Sequence, residues 1–196
     1  MTSAYHHGDL RRAVLDRAVE VIGAGGASAL SLRSIAADLG VSHTAPRHHF
    51  AGRTGLLTAV AADGFRQLAD RIEAAYAVGG FAEAGAAYVQ FALDRPAHFS
   101  VMFAPDLLDY ADPELREASE VAFAQLRAGA ESLEPQQRPD LAAAVVAGWA
   151  MVHGVATLAL TGNLDRSGVR ALLGEVDTVS LTRRATATLF TARSED

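Results

Sequence analysis

Leu30–Arg53, LSLRSIAADLGVSHTAPRHHFAGR, constrains this chain more than any other segment. Its pattern predicts two short helices joined by a tight turn. Ser31 offers a side-chain oxygen to an otherwise unpaired amide at a helix start. Ile35, Ala36 and Leu39 follow at helical spacing, and Gly40 stands where a helix end needs a left-handed residue. Val41 is placed to plug the turn into a core, and Ser42 to cap the second helix. The small Ala36 lets the two helices approach closely. Such a second helix presents His43, Thr44, Arg47, His48 and His49, in the shape that carries a helix into the DNA major groove.

Charge is arranged to suit that reading. The 196 residues carry a net charge of −6, which by itself argues against nucleic acid. Residues 1–55, however, hold six arginines against four acids, a surplus of two positive charges, with five histidines besides. Residues 56–196 hold eleven arginines against nineteen acids, a deficit of eight. Contact with DNA depends on the local field more than on the total. Half the residues are apolar, so a real core is expected. The absence of cysteine excludes disulfides, thiolate zinc sites and cysteine nucleophiles. No apolar run follows a basic start, so the expected location is the cytoplasm.

The rest of the chain reads as helices, with no period-2 strand and no internal repeat. His7–Ile22 is amphipathic and ends at Gly23, Gly25 and Gly26. Gly52–Tyr76 reads as a long helix, with a break at Val78-Gly79-Gly80. Phe81–Leu93, a short piece from Pro96 to Met102 and a helix from Pro113 follow, then a loop at 134–139. Leu141–Thr161 is the most apolar helix, Gly162–Gly168 a turn, and Val169–Phe190 a last helix. Leu141–Leu164 has no charged residue other than a possible charge on His153, and is long enough to span a bilayer. Its alanines and glycines favour instead a helix buried on most sides, as in a dimer interface.

In this order, YHHGDLRRAVLDRAVEVI (Tyr5–Ile22), LSLRSIAADLGVS, His49-Phe50 and the helix start at Arg53, Leu56 and Leu57 resemble the TetR family of bacterial transcriptional regulators. Trp149-Ala-Met-Val-His153-Gly154 is similar to the tryptophan–histidine–glycine motif of one group of TetR C-terminal domains. The resemblance implies an all-α homodimer. Residues 1–52 would form a three-helix DNA-binding head, joined by a long helix to a ligand-binding and dimerisation body at 53–196. Segments 141–161 and 169–190 would pair with a second copy, and double-stranded operator DNA would be the partner of the head. The family usually has an aromatic where Arg47 stands, and a larger aliphatic where Pro46 stands.

The resemblance implies DNA contact by Arg33, Ser42, His43, Thr44, Arg47, His48 and His49, and phosphate contact by Arg53 with Thr54 at a helix N-terminus. Arginine can make two hydrogen bonds to guanine. In the body, Phe91, His98, Phe99, Met102, Phe103, Leu107, Tyr110, Phe123, Leu126, Trp149 and His153 could line a pocket for a small apolar organic ligand. The same residues at the same spacing also suit a plain core. His6, His7, His48 and His49 lack ligand spacing, so neither metal nor cofactor is expected. An activator, or a regulator without an inducer, is the alternative within the family. An enzyme or a protein-binding adaptor would not need the basic recognition segment, and no nucleophile elbow or phosphate loop is present.

Overall fold

The computed structural model describes residues 7–166 and 168–190, with the side chains of residues 7–9 and 170 excepted. Tyr5 and His6, which open the resemblance, and the side chain of His7 lie outside the described residues. The order is α1 (His7–Gly25), a 3₁₀ turn (Ala27–Ala29), α2 (Leu32–Asp38), a second 3₁₀ turn (Ala45–His48), α3 (Gly52–Asp94) and α4 (Pro96–Met102). A third 3₁₀ turn (Pro105–Leu107), α5 (Pro113–Glu131), α6 (Leu141–Leu160), α7 (Asn163–Arg166), α8 (Arg170–Leu173) and α9 (Thr178–Phe190) follow. The fold is all-α, with an N-terminal helix-turn-helix segment and a C-terminal helical domain.

The chain divides into two compact units. One comprises residues up to Phe65 together with Pro96–Ser119; the other comprises Arg66–Arg95 and Glu120 onward. In the first, Val14, Leu15, Ala18 and Ile22 form the buried stripe of α1. Ile35 and Ala36 of α2, Phe50, and Leu56, Leu57 and Val60 of α3 are buried too. Asp112 caps α5 by accepting the Leu115 amide (2.9 Å), with Pro113 at the position where a missing amide costs nothing.

In the second unit Phe81 is a central wedge. Its ring lies edge-on to Phe190 at 5.1 Å. A Cβ at Gly129 or Gly148 would stand 2.7 or 3.1 Å from that ring, so hydrogen at these two positions makes room for it. Asp140 caps α6 through the Ala143 amide (3.0 Å). Arg183 of α9 grips Glu83 of α3 in a two-pronged pair at 2.6 and 2.9 Å. That hydrogen bonding holds the Glu83 carboxyl below its ordinary range.

One expected break is present, and two other expectations need correction. The break expected at Val78-Gly79-Gly80 is there: α3 is two helical pieces that meet at a kink, where Gly79 (φ −146°, ψ 20°) and Gly80 leave helical geometry. Gly80 has φ 67° and ψ −152°, a conformation open essentially to glycine alone. The stretch 162–168 carries the short helix α7, so it is more than a turn. The last segment is two helices: Gly174 (φ 59°) ends α8, and Asp177 starts α9 by accepting the Ser180 amide at 2.9 Å. Helical spacing continues through both pieces, so periodicity alone conceals the break.

Candidate nucleic-acid interface

Helix α2 is closed at both ends by its own residues. Ser31 is extended (φ −136°, ψ 119°) and accepts the Ser34 amide at 3.4 Å. At the other end Gly40 is left-handed (φ 65°). Its amide bonds the Ala37 carbonyl (3.1 Å), and the Val41 amide bonds the Ala36 carbonyl (3.0 Å). This is a Schellman closure, which pairs carbonyls that a helix end leaves unpaired. It stops α2 and turns the chain within two residues.

The second element is not the α-helix that the sequence suggests. Ala45–His48 is a 3₁₀ turn. Its amides bond three residues back: Ala45 to Ser42, Arg47 to Thr44 and His49 to Pro46, all at 3.0–3.1 Å. The physical cause is Pro46. Proline has no amide to give the Ser42 carbonyl, and its ring crowds the carbonyl four residues back. The Ser42 carbonyl is taken by the Ala45 amide instead. Nor does Ser42 cap by its side chain; its hydroxyl lies 3.2 Å from that of Thr44. Pro46 is buried, which fits the core position where a larger aliphatic residue was the norm.

Arg33, Ser42, His43, Thr44, Arg47, His48, Arg53 and Thr54 are exposed, and His49 is half-buried. His49 sits edge-on to the buried Phe50 (6.5 Å), whose ring also carries the Arg11 guanidinium at 5.5 Å. Arg53 has a structural contact that its sequence position does not reveal. It donates from Nη2 to the Ala27 carbonyl at 2.7 Å, tying the start of α3 to the first 3₁₀ turn.

A cavity of about 490 Å³ in the same unit is lined in part by Arg11, His49, Phe50, Thr54, Thr58, Asp109, Asp112 and Glu114. Arg11 holds Glu114 with Nη2 at 3.0 and 3.3 Å from the two carboxylate oxygens. The Asp109 amide donates to the buried Thr58 hydroxyl at 3.0 Å. Arg11 and Glu114 stand 103 residues apart, so no local pattern announces the pair.

The eleven expected ligand-lining residues fall in both units. In the first, His98 is buried, with Nε2 3.2 Å from Asp63 Oδ2 and no partner for Nδ1 among the described residues. Phe99 and Phe103 stack edge-on at 5.1 Å, and Met102 is buried. Leu107 is half-buried and Tyr110 is exposed. In the second, Phe91 is fully buried, Leu126 half-buried, and Phe123 and Trp149 are 54% and 42% exposed. Trp149 packs edge-on against His153 at 6.3 Å.

His153 Nδ1 lies 2.9 Å from the Tyr88 hydroxyl. Burial pushes the Tyr88 phenol far above its ordinary range, so it keeps its proton and donates. Burial also lowers His153, which stays neutral and accepts. A histidine lowered on folding binds fewer protons folded than unfolded, so stability rises with pH across that window. Its contribution is constant above about pH 6.5 and declines as pH falls toward the folded value. His153→Gln should flatten this part of the profile in denaturant melts between about pH 7.5 and 5. Parallel profiles for the two proteins would show that His153 does not titrate this way.

An exposed arginine- and hydroxyl-bearing turn follows a helix with a tight C-terminal closure, which is the layout of a helix-turn-helix segment. Residues 14–60 match the model for bacterial regulatory proteins of the tetR family. Residues 81–189 match that for the tetracyclin repressor-like C-terminal domain. A protein of unknown function from Rhodococcus sp. RHA1 is 30% identical, with TM-score 0.80, over 98% of this chain and 100% of that one. A tetR-family regulatory protein from Rhodococcus RHA1 shares the fold at TM-score 0.64 and 19% identity, over 100% of each chain. FadR of Bacillus subtilis, solved with stearoyl-CoA, shares it at TM-score 0.58 and 18% identity, over 93% of this chain and 99% of that one. No curated protein sequence matches. The chain belongs to the tetR family: it is a DNA-binding transcriptional regulator and not an enzyme.

Proposed function

We propose that this regulator is a cytoplasmic repressor that binds a near-palindromic operator as a homodimer and leaves it on binding a small organic ligand. The observation that carries the DNA half is the exposed Thr44–Arg47–His48 turn in the positively charged N-terminal region. Two such turns would enter major grooves about 34–36 Å apart. Residues 1–52 serve as the head and 53–196 as the ligand-binding and dimerisation body. Arg33, Ser42, His43, Thr44, Arg47, His48 and His49 face DNA, with Arg53 and Thr54 on the phosphates.

Segments 141–161 and 169–190 supply the dimer interface. Val146, Trp149, Leu158 and Leu189 are large apolar side chains left exposed on them. Helix α6 also has the length and hydropathy to cross a membrane; pairing with a second copy accounts for the same apolar surface. The ligand site draws on the residues of the second unit, Phe91, Phe123, Leu126, Trp149 and His153, with His153 as its polar group. FadR of Bacillus subtilis holds an acyl-CoA within this fold; here an apolar organic molecule is the class that fits. A ligand that prefers the DNA-incompetent state weakens operator binding by the same factor.

Selection of bound sequences from random DNA, repeated with candidate ligands, tests the reading. A two-fold symmetric motif is expected; recovery of no motif refutes DNA reading. Light scattering should give twice the 20.5 kDa chain mass, and a monomer at micromolar concentration refutes the dimer.

Two substitutions separate base from backbone contacts. Arg47→Ala should weaken the selected site by about 1–3 kcal/mol and random DNA much less. Equal losses on both would place Arg47 on phosphate. Arg53→Ala should weaken all sequences and reduce the salt slope by about one. Its loss of the Ala27 contact should also lower stability by about 1 kcal/mol. A loss confined to one base position would contradict the phosphate role.

A further inference from the structure

We propose that Pro46 is a specificity-determining residue, which acts by changing the partner of Thr44 on the DNA-facing turn. The inference rests on the DNA-binding reading and deepens it. An α-helix advances about 100° per residue, so Thr44 and His48, four apart, would lie about 40° from each other. Arg47 would then stand about 60° from Thr44, on the side away from His48. A 3₁₀ turn advances about 120° per residue, and residues three apart eclipse. In that geometry Thr44 and Arg47 form one ridge, and His48 points about 120° away.

The backbone between these residues takes the 3₁₀ form. The Arg47 amide bonds the Thr44 carbonyl at 3.0 Å, and the preceding turn closes from Ala45 to Ser42 at 3.0 Å. Pro46 enforces it twice over. It has no amide for the bond that would make this turn α-helical, and it is buried, so its ring is fixed in the core. His49 and Phe50 both donate to the Pro46 carbonyl (3.1 and 3.0 Å), so the three-residue pattern widens again only beyond Pro46. One hydroxyl and one guanidinium on a single ridge can meet neighbouring groups of the same base step. His48, turned aside, meets the sugar–phosphate backbone. A relative with an aliphatic residue here would present a different pair from the same side chains.

The test is sequence selection from random DNA with the full-length wild-type chain, Pro46→Val and Pro46→Ala. Valine restores the amide and keeps most of the buried bulk. The variants should select a motif changed at the base steps under the turn. They should bind the wild-type site at least tenfold more weakly than their own, with an unchanged salt slope. Variants that select the wild-type motif, however tightly they bind, overturn the inference alone. A wild-type chain that selects no motif overturns the DNA-binding reading and this inference with it. Thr44→Ala and Arg47→Ala in the wild-type background keep the question decidable should both Pro46 variants unfold. They should relax preference at the same base step, and His48→Ala at none. Effects of Thr44→Ala coinciding with those of His48→Ala overturn the inference.

Discussion

Phe91→Ala is expected to lower the stability of the folded chain by about 3–5 kcal/mol. The ring has no exposure to solvent. The Arg71 guanidinium lies 5.6 Å above it, and Arg71 is held by Asp94 at 2.7 Å. Asp94 in turn accepts from Gln90 at 2.7 Å. These bonds, the Arg71 bond first, hold the Asp94 carboxyl below its ordinary range. The ring therefore sits under a fixed lid, and its removal leaves a void that the lid cannot fill. Urea unfolding at neutral pH measures the loss, with the slope against denaturant unchanged. The value also decides between two roles for Phe91. A core ring costs the full amount; a ring bordering a vacant ligand pocket already lacks neighbours on one side, and a loss under about 1 kcal/mol would place it there.

Gly64→Val is expected to destabilise by about 1–3 kcal/mol or more, the sign opposite to that at an open helical glycine. Alanine normally helps a helix there by about 1 kcal/mol and β-branched valine by roughly a third of that, because glycine carries extra backbone freedom. At Gly64 a Cβ would stand 2.6 Å from Met102 Sδ and 3.1 Å from His98 Cβ. Met102 is 1% exposed, so its thioether has little free space to move into. The clash would push α4 from α3 at the point where His98 meets Asp63. Combining Gly64→Val with Met102→Ala should recover part of the loss, and strict additivity of the two would show that they do not collide.

The sequence is legible where the chemistry is local. Ser31 and Gly40 each act within a few residues, and both ends of α2 are closed as their types suggest. Pro96 and Pro113 start helices for the same reason. The second reading element was less legible. Pattern matching counts outward-facing residues on an α-helical wheel, and one missing amide at Pro46 changes the wheel. Gly174 and Asp177 split the final segment, but the apolar spacing of Leu172, Leu173, Val176 and Val179 continues across the break. Contacts between distant residues were not legible at all. Asp63 lies three positions after Val60, a polar group in an otherwise apolar stripe, yet nothing local pairs it with His98. The expected ligand residues share a composition, and composition did not reveal that they would be divided between two units.

Trp149 is the chain's only tryptophan, and it stands half in water with its edge against His153. The molecule therefore carries one native fluorophore at an informative place. An imidazolium quenches indole emission more strongly than a neutral imidazole does, so emission intensity against pH reads the His153 titration with no label. Emission wavelength follows the wetness of the indole. Pairing of two chains over this face of α6 would shift it to the blue on concentration, and the same cuvette would report assembly and protonation as separate signals.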